Sequence, residues 1–364
     1  MTDAGSAIDW LATLSPWPEE FGLGRMQVLL ADLGEPQRRY GAVHVVGTNG
    51  KTSTTLMTAA LLEAEGLRVG ATISPHVRSW GERIQIDGRP ADLERALARV
   101  RPVAQGATQF EVLIAAALTE FAASGVDVAV VEAGLGGRHD ATNVLGAAVV
   151  VLTNVALEHT DILGDTREAI AVEKLAVVAP GSTVILGEAE WESVAGAAGA
   201  GRIERAPGSN LGLAVAAAEA YLGHPVDDTA ARGLSVPGRL EQRAERPLEI
   251  WDGAHNLAGV RYLLSHLPAR RYVVVASILG DKDAEAMLAA LSEAGDTMIA
   301  TRSTNSRTIP AADLAARAAA HFAATEAVSD PASALVRART LAGPEGAVLV
   351  TGSLYLLAEL SDDA

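Results

Sequence analysis

The chain has 364 residues, of which 49% are hydrophobic and 20% are charged, with a net charge of -16 and no cysteine. This length suits about two domains, and this composition excludes an intrinsically disordered chain. The lack of cysteine excludes disulfides, thiolate metal sites and a cysteine nucleophile. The negative charge disfavours binding to nucleic acid or to anionic membranes.

The start of the chain and its apolar stretches bear on its location. No apolar stretch approaches the ~20 residues of a membrane span. The N-terminal sequence MTDAGSAIDWLATL contains two acids and no basic cluster, unlike a secretory signal. We therefore expect a cytoplasmic protein that binds neither membranes nor nucleic acid.

Short apolar runs alternate with Ala- and Leu-rich helical patterns along the chain. Near-continuous runs of β-branched residues are typical of strands buried on both faces, and their alternation with helices is typical of a parallel sheet. Helices are predicted at Thr52–Glu65, Phe110–Ser124 and Leu211–Leu222. Strands are predicted at Ala42–Val46, Val126–Val131, Ala148–Leu152, Thr183–Leu186, Leu248–Trp251, Tyr272–Ser277, Thr297–Ala300 and Ala347–Val350.

A domain boundary is predicted in the segment GLSVPGRLEQR, where Pro237 and Gly238 interrupt the helical pattern. The sequence thus predicts an N-terminal α/β domain, residues 1–234, and a smaller C-terminal α/β domain, residues 235–364. Polar and glycine-rich clusters follow several predicted strands in both parts. Since ligands bind outside the carboxyl ends of parallel strands, we expect one site built from both domains.

The segment VHVVGTNGKTSTT lies between a predicted strand and a predicted helix. The standard phosphate-loop pattern has glycine where this chain has Val45, but two later glycines still allow a tight turn. The lysine can reach the β and γ phosphates, and a hydroxyl of Thr52 or Ser53 can touch Mg²⁺. A plain glycine-rich turn with an exposed lysine is the alternative, and the flanking strand and helix favour nucleotide binding. The predicted loop comprises Gly47, Thr48, Asn49, Gly50, Lys51, Thr52 and Ser53.

This loop resembles the phosphate loop of the Mur ligase superfamily. Further segments resemble, in the same order, the folylpolyglutamate synthase/dihydrofolate synthase family: FGLGRM, ISPHVRSWGERIQIDG, FEVLIAAALTEFAASGVDVAVVEAGLGGRHDATNV, TNVALEHTDILGDTREAIAVEKLAVV, PGRLEQ, WDGAHN, GDKD and TGSLYLLAEL. The resemblance covers nearly the whole chain. It implies a P-loop ATPase-like Mur ligase central domain with a parallel sheet, followed by a smaller Rossmann-like α/β domain.

The resemblance also implies ATP-dependent amide formation. ATP phosphorylates a substrate carboxylate, an amine attacks the acyl phosphate, and phosphate leaves. We expect L-glutamate to be added to dihydropteroate, to reduced folates, or to both, by a monomeric enzyme. Two alternatives stay open, namely the same chemistry on another carboxylate acceptor and a nucleotide-binding regulator without catalysis. The joint presence of Lys51, Glu132, His159 and Lys174 argues against the regulator.

The family's metal and catalytic positions carry over to matching residues of this chain. Ser74, Glu132 and His159 match positions that hold metal, and Lys174 matches a lysine that is commonly carbamylated and can then help to hold a second metal. The implied cofactors are ATP and Mg²⁺, with K⁺ as a further candidate, and the implied catalytic residues are Lys51, His159 and Lys174. Without the resemblance, each could be an ordinary cap, hydrogen-bonding residue or surface lysine.

Further nucleotide contacts are implied for Asn210 on the adenine side, Arg239 at phosphate, Asp252 at ribose and His255 in the same motif as Asp252. Departures from the family pattern are Thr52 and Val177 in place of glycine, Pro207 in place of glutamine and His139 in place of leucine. Because the loop with His139 contacts the pterin in the family, the departure there bears on acceptor choice. The implied acceptor residues are Thr108, Phe110, Glu111, Arg138, His139, Asp140 and Ala141.

Overall fold

The computed structural model describes residues 6–206 and 208–362. The chain divides into two compact units: the first extends to Leu234 without residues 77–79, and the second contains 77–79 and the chain from Ser235 onward. Within the described residues, every helix is too short or too polar to cross a membrane. Pro207, one departure from the family pattern, lies outside the described residues.

The first unit is built on an eight-stranded sheet. The strands are β1 (Gly41–Val46), β2 (Val69–Thr72), β3 (Ile84–Ile86), β4 (Arg89–Pro90), β5 (Val128–Glu132), β6 (Val149–Leu152), β7 (Thr183–Leu186) and β8 (Arg202–Arg205). Their order is β4-β3-β2-β5-β1-β6-β7-β8, and only the pairs β2–β3 and β3–β4 are antiparallel. The predicted parallel sheet is therefore confirmed.

The helices of the first unit pack on this sheet or on one another, and apolar clusters form its core. The α-helices are α1 (Ala7–Thr13), α2 (Gly24–Asp32), α3 (Lys51–Ala64), α4 (Leu93–Val100), α5 (Gln109–Ser124), α6 (Thr160–Leu163), α7 (Arg167–Leu175), α8 (Glu192–Ala197), α9 (Asn210–Leu222) and α10 (Thr229–Arg232). Short 3₁₀ helices lie at Pro36–Arg38, Trp80–Arg83, Arg101–Val103 and Ala189–Trp191.

Strand register brings several loops to one edge of this sheet. Val45 of β1 pairs with Glu132 of β5, and Val46 pairs with Leu152 of β6. The phosphate loop, Glu132 and the loop after β6 therefore leave the sheet at the same level. This edge is the carboxyl end of the parallel strands, where ligands bind in open α/β sheets.

The second unit is a six-stranded sheet of order β13-β12-β11-β14-β10-β9, parallel except for β9. Apolar clusters line both faces of this sheet. The strands are β9 (Glu241–Glu245), β10 (Leu248–Trp251), β11 (Val273–Ala276), β12 (Thr297–Ala300), β13 (Ala324–Ala327) and β14 (Ala347–Thr351). The helices are α11 (Leu257–His266), α12 (Ala284–Leu291), α13 (Ala311–Ala318), α14 (Pro331–Ala342) and α15 (Leu354–Asp362).

Candidate active site

The phosphate loop turns sharply between β1 and α3. Gly47 and Gly50 have φ values of 148° and 83°, in the region that favours glycine. A Cβ at Gly47 would collide with the Thr153 hydroxyl, and one at Gly50 would collide with the Asn210 side chain. Both glycines are therefore required by conformation and by close approach, as the sequence predicted for a phosphate loop.

The chain after β6 holds the phosphate loop in place. The Thr153 hydroxyl donates to the Asn49 carbonyl at 2.7 Å, and the Asn154 amide group both donates to that carbonyl and accepts from the Asn49 N–H, each at 3.0 Å. The Thr48 hydroxyl accepts from the Ala156 N–H at 3.0 Å. Thr153 and Asn154 are not among the predicted site residues, although their place directly after a buried strand is a signal that the sequence contains.

Lys51 and Asn210 lie at the same loop. Lys51 is the first residue of α3 and its half-buried Nζ donates to the Thr48 carbonyl at 3.2 Å. Asn210 is the first residue of α9, which packs against α3, and its side chain lies against Gly50. The structure thus brings together two predicted nucleotide-binding positions that are far apart in sequence.

Three oxygen-bearing residues meet beside the start of α3. The Thr52 hydroxyl donates to Glu132 Oε1 at 3.0 Å, and the Ser74 N–H donates to Glu132 Oε2 at 3.1 Å. Glu132 is only 2% exposed. A buried carboxylate next to a hydroxyl and close to a phosphate loop is a hard-oxygen donor set of the kind that suits Mg²⁺, which keeps most of its waters.

The histidine predicted to hold metal lies on a different segment. His159 is exposed and precedes α6 with a positive φ of 51°. In residues 6–206 and 208–362, no group of three or more His, Asp and Glu side chains is arranged to hold a metal ion. The residues whose side-chain oxygens meet are therefore Thr52 and Glu132. Ser74 contacts Glu132 through its N–H, and metal roles for Ser74 and His159 stay predictions.

Lys174 is buried in the last turn of α7. Its Nζ donates to the Gly47 carbonyl at 2.8 Å, so the side chain reaches the phosphate loop. Burial, followed by the nearby charge of Lys51, lowers the pKa of Lys174 to about 7. Lys174 is buried, so the alternative that it is an ordinary surface lysine is wrong.

The first predicted acceptor segment has a helix-capping role. Thr108 caps α5, its hydroxyl accepting from the Glu111 N–H at 3.2 Å, and Glu111 accepts from the Thr108 N–H at 2.8 Å. Arg25 also donates to Glu111 at 3.1 Å. Phe110 differs from these two because its ring packs on Gly134, where a Cβ would lie 2.5 Å from the ring. Phe110 is therefore the member of this segment that packs on the second predicted acceptor segment, residues 134–143.

That second loop, residues 134–143, is held by a buried carboxylate. Asp140 accepts from the Leu135 N–H at 2.7 Å, from the Thr142 N–H at 3.0 Å and from the Thr142 hydroxyl. Burial raises the pKa of Asp140. Since the Thr142 hydroxyl gives its proton to Asp140, His44 must donate its Nε2–H to that hydroxyl, at 2.8 Å.

The remaining predicted acceptor positions lie on the same loop. Arg138 pairs with Glu173 at 3.2 Å through its side chain, and its own N–H donates to the Glu173 carboxylate at 3.1 Å. His139 is exposed and Ala141 is buried. Asp140 is buried and holds the loop, whereas Arg138 and His139 are exposed. The role of His139 in acceptor choice stays a prediction.

In the second unit, the three predicted nucleotide residues cluster around the end of β10. Asp252 accepts from the Leu240 and Ala254 N–H groups, each at 2.8 Å. Burial raises the pKa of Asp252, while the charge of Arg239 acts in the opposite direction. The His255 Nδ1 lies 2.8 Å from the Gly253 carbonyl. Their nucleotide contacts stay predictions.

This fold and this phosphate loop define a Mur ligase. Residues 45–192 match the Mur ligase middle domain, and residues 238–354 match the Mur ligase glutamate ligase domain. The chain is 34% identical to the dihydrofolate synthase/folylpolyglutamate synthase of Mycobacterium tuberculosis over an alignment of 388 residues. The alignment covers 84% of this chain and 80% of that protein. The chain therefore belongs to the folylpolyglutamate synthase/dihydrofolate synthase family.

Solved structures agree with this assignment. Escherichia coli FolC in complex with DHPP and ADP has a TM-score of 0.89 at 29% identity, over 99% of this chain and 98% of that chain. A bifunctional folylpolyglutamate synthase/dihydrofolate synthase from Yersinia pestis, complexed with AMPPNP and Mn ion, has a TM-score of 0.87 at 30% identity, over 99% and 98%. The fold predicted from the sequence is therefore confirmed.

Proposed function

We propose that this protein is an ATP-dependent amide ligase that adds L-glutamate to dihydropteroate, to reduced folates, or to both. The observation that carries the proposal is the hydrogen-bonded pair of Thr52 and Glu132 beside the phosphate loop, in a member of this family. An acceptor carboxylate oxygen attacks the γ-phosphorus and ADP leaves. The glutamate amine then attacks the acyl carbon, loses a proton, and phosphate departs with the former carboxylate oxygen.

The protein's own residues meet the charge demand of the first step. Two anions must approach each other, so positive charge and N–H dipoles must surround the transferred phosphoryl group. Lys51 supplies a cation at the start of α3, and the helix N-terminus adds its dipole. Thr52 and Glu132 would hold Mg²⁺, with Ser74 beside them. When bound, Mg²⁺ neutralises phosphate charge.

Lys174 extends this site toward the phosphate loop. We infer that its buried amine is carbamylated. The ammonium first loses a proton, the neutral nitrogen then attacks the carbon of CO₂, and a second proton leaves to give a carbamate. This replaces a cation by an anion that can help to hold a second metal, as the family resemblance implies. The contact with the Gly47 carbonyl supports this, since it places the amine beside the loop that holds the phosphates. His159 as a metal ligand, a K⁺ requirement and a monomeric state are further parts of the proposal.

The acceptor part of the proposal rests on Phe110 and the loop 134–143. A flat pterin needs an apolar wall and a few hydrogen-bonding groups. Phe110 offers the wall, and the exposed His139 offers a polar ring on the neighbouring loop. Thr108, Glu111 and Asp140 support this surface through the cap of α5 and the loop conformation. In the second unit, Arg239, Asp252 and His255 are proposed to contact the nucleotide.

The test is a screen for ADP release with dihydropteroate, tetrahydrofolate and UDP-sugar acceptors, each with a panel of amino acids. We expect ADP release with a pterin acceptor plus glutamate, and a product one glutamyl residue heavier by mass spectrometry. Lys51→Ala should bind no ATP productively and release no ADP. Efficient ligation of an unrelated carboxylate alone would refute the folate acceptor, and ATP binding without any release would favour the regulator.

A further inference from the structure

Arg167 and Glu188 hydrogen-bond the two backbone polar groups of Val155. Arg167 Nε donates to the Val155 carbonyl at 2.9 Å, and Glu188 Oε2 accepts from the Val155 N–H at 2.9 Å. The two side chains also pair with each other at 3.1 Å. We call this arrangement of Arg167, Glu188 and Val155 the backbone clamp.

The neighbours of Val155 are the residues that shape the phosphate loop. Asn154 precedes it and bonds both backbone groups of Asn49, while Ala156 follows it and donates to the Thr48 hydroxyl. Val155 is 3% exposed, so its clamped N–H and carbonyl lie away from bulk water. A shift of Val155 would therefore move the two contacts that set the phosphate loop.

The clamp is braced by its surroundings. Trp191 donates its indole N–H to Glu188 Oε2 at 2.7 Å, and its ring lies 5.1 Å from the Arg167 guanidinium. Arg167 is the first residue of α7, where a cation is disfavoured by the helix dipole. The unfavourable interaction of Arg167 with the helix dipole is offset by ion pairs with Glu188, at 3.1 Å, and with Glu190, at 2.7 Å.

The same helix reaches the phosphate loop at its other end. Lys174 follows Arg167 by two helical turns and donates to the Gly47 carbonyl at 2.8 Å. Helix α7 thus holds one backbone carbonyl in the phosphate loop and another in the segment behind it. Because α7 is hydrogen-bonded at both ends, it sets the distance between the phosphate loop and the segment around Val155.

We propose that Arg167 and Glu188 are positioning residues for the nucleotide site, which set the phosphate loop through Val155 and act on ATP and Mg²⁺ affinity without touching either. The proposal rests on the proposed function only in that ATP is the nucleotide. A planar guanidinium can hold a carbonyl and a carboxylate together, whereas an ammonium has no such fixed fork. Arg167→Lys should therefore recover only part of the effect of Arg167→Met.

The test compares two neighbouring glutamates that both pair with Arg167. Glu188→Ala removes the contact with the Val155 N–H, whereas Glu190→Ala removes a partner of Arg167 that has no bond to Val155. We expect Glu188→Ala and Arg167→Met to weaken binding of AMPPNP with Mg²⁺ by ~10- to 100-fold in calorimetry, the range for residues that orient ligands indirectly. Glu190→Ala should stay within about twofold of the wild type.

Several readouts separate positioning from a general loss of stability. Arg205→Met, which breaks the exposed pair with Glu192 in the same unit, is the stability control and should leave nucleotide affinity unchanged. Calorimetry on folded protein at 15 °C keeps the test valid if a variant is less stable. Equal affinity in Glu188→Ala and Glu190→Ala would overturn the clamp. A wild type that binds no AMPPNP would instead overturn the proposed function.

Discussion

The hydroxyl of Thr52 donates a 3.0 Å hydrogen bond to Glu132 Oε1 and so joins the first turn of α3 to the end of β5. The pair follows from strand register, because Val45 lies opposite Glu132 and the phosphate loop begins two residues later. Ligand groups on a sheet edge and a helix are held more rigidly than groups on loops. The donor set that we propose for Mg²⁺ is thus built into the fold.

Removing the Thr52 hydroxyl should raise the Mg²⁺ requirement. Thr52→Val keeps the side-chain volume but removes one of the oxygen donors, and Glu132→Gln lowers the charge at the same point. We expect the Mg²⁺ concentration for half-maximal ADP release to rise ~10-fold or more in both. Thr55→Val is the matched control, since the Thr55 hydroxyl is buried without a hydrogen-bond partner among the described residues. Unchanged Mg²⁺ titrations in all three variants would contradict this role.

Gly47 should be intolerant of even one methyl group. Gly47→Ala places a side chain at a φ of 148°, where L-residues are strained, and its Cβ would collide with Thr153. The Thr153 segment that holds Asn49 must therefore move. We expect loss of measurable nucleotide binding by calorimetry. Gly66→Ala is the control, because Gly66 has a φ of 86° but open space around its Cα. It should cost about 1 kcal/mol of stability with nucleotide affinity unchanged. Retained binding in Gly47→Ala would refute the close-approach argument.

Lys174 and Lys51 should differ in chemical rescue. If Lys174 carries a carbamate, Lys174→Ala loses an anion that a short carboxylate such as acetate can replace in the vacated space. Acetate should restore part of the ADP release of Lys174→Ala. It should restore none of the ADP release of Lys51→Ala, because that variant has lost a cation, which a carboxylate cannot replace. Depleting CO₂ should lower wild-type activity, with recovery on adding bicarbonate, and ¹³C-bicarbonate should give a carbamate signal by NMR. A wild type indifferent to CO₂ would argue against the modification.

His44 should make the protein sensitive to acid. Burial lowers the pKa of His44 from 6.5 to about 3, so the unfolded chain binds its proton in this window and the native state does not. The free energy of unfolding should therefore fall with decreasing pH between 6.5 and about 3, by up to about 1.4 kcal/mol per unit from this residue. The raised pKa of Asp140 acts with the opposite sign.

A non-titrating replacement isolates this contribution. His44→Gln keeps an N–H donor for Thr142, and Asp140 is present in both proteins. Urea unfolding at several pH values should show that the difference between variant and wild type grows in favour of the variant as pH falls. His224→Gln, at an exposed position, serves as the control. Parallel pH curves for wild type and His44→Gln would rule out a buried neutral imidazole.

The eight strand segments predicted from apolar runs are all present, with ends shifted by up to two residues. Strands without a continuous apolar run were not predicted from the sequence. Residues 202–205 and 241–245 form β8 and β9 at sheet edges, where polar side chains face water and no continuous apolar run is needed. Residues 69–72 form β2 inside the sheet, where Gly70 makes room for the ring of Phe121. Such a strand is specified by its neighbours rather than by its own sequence.

Site residues, like strands, could be predicted only where their own local sequence indicates their role. The glycines, Lys51 and Glu132 follow buried strands and could be recognised by residue type. By contrast, Thr108 and Glu111 form a capping box, a pattern that the sequence contains and that indicates a helix start. The backbone clamp could not be predicted, because Glu188 and Val155 meet only through the pairing of β6 and β7.

Acceptor choice should depend on Phe110 and His139 in opposite directions. Phe110 provides apolar area next to Gly134, so Phe110→Ala should raise KM for dihydropteroate by ~10- to 100-fold, the equivalent of about 1.5–3 kcal/mol for a buried aromatic contact. His139→Leu replaces an exposed polar ring by an apolar side chain and should lower KM for dihydropteroate. Neither change should alter KM for ATP, because both residues lie outside the phosphate loop.

Steady-state kinetics with each substrate varied in turn measures these effects, and Val112→Ala controls for lost packing. Val112 is fully buried on the same helix as Phe110, so its truncation should lower the unfolding temperature and leave both KM values unchanged. An equal rise of KM for ATP and for dihydropteroate in Phe110→Ala would show a general distortion of the site. A lower KM for a different carboxylate acceptor in wild type than in His139→Leu would instead make His139 a selector for that acceptor, since the imidazole can hydrogen-bond where leucine cannot.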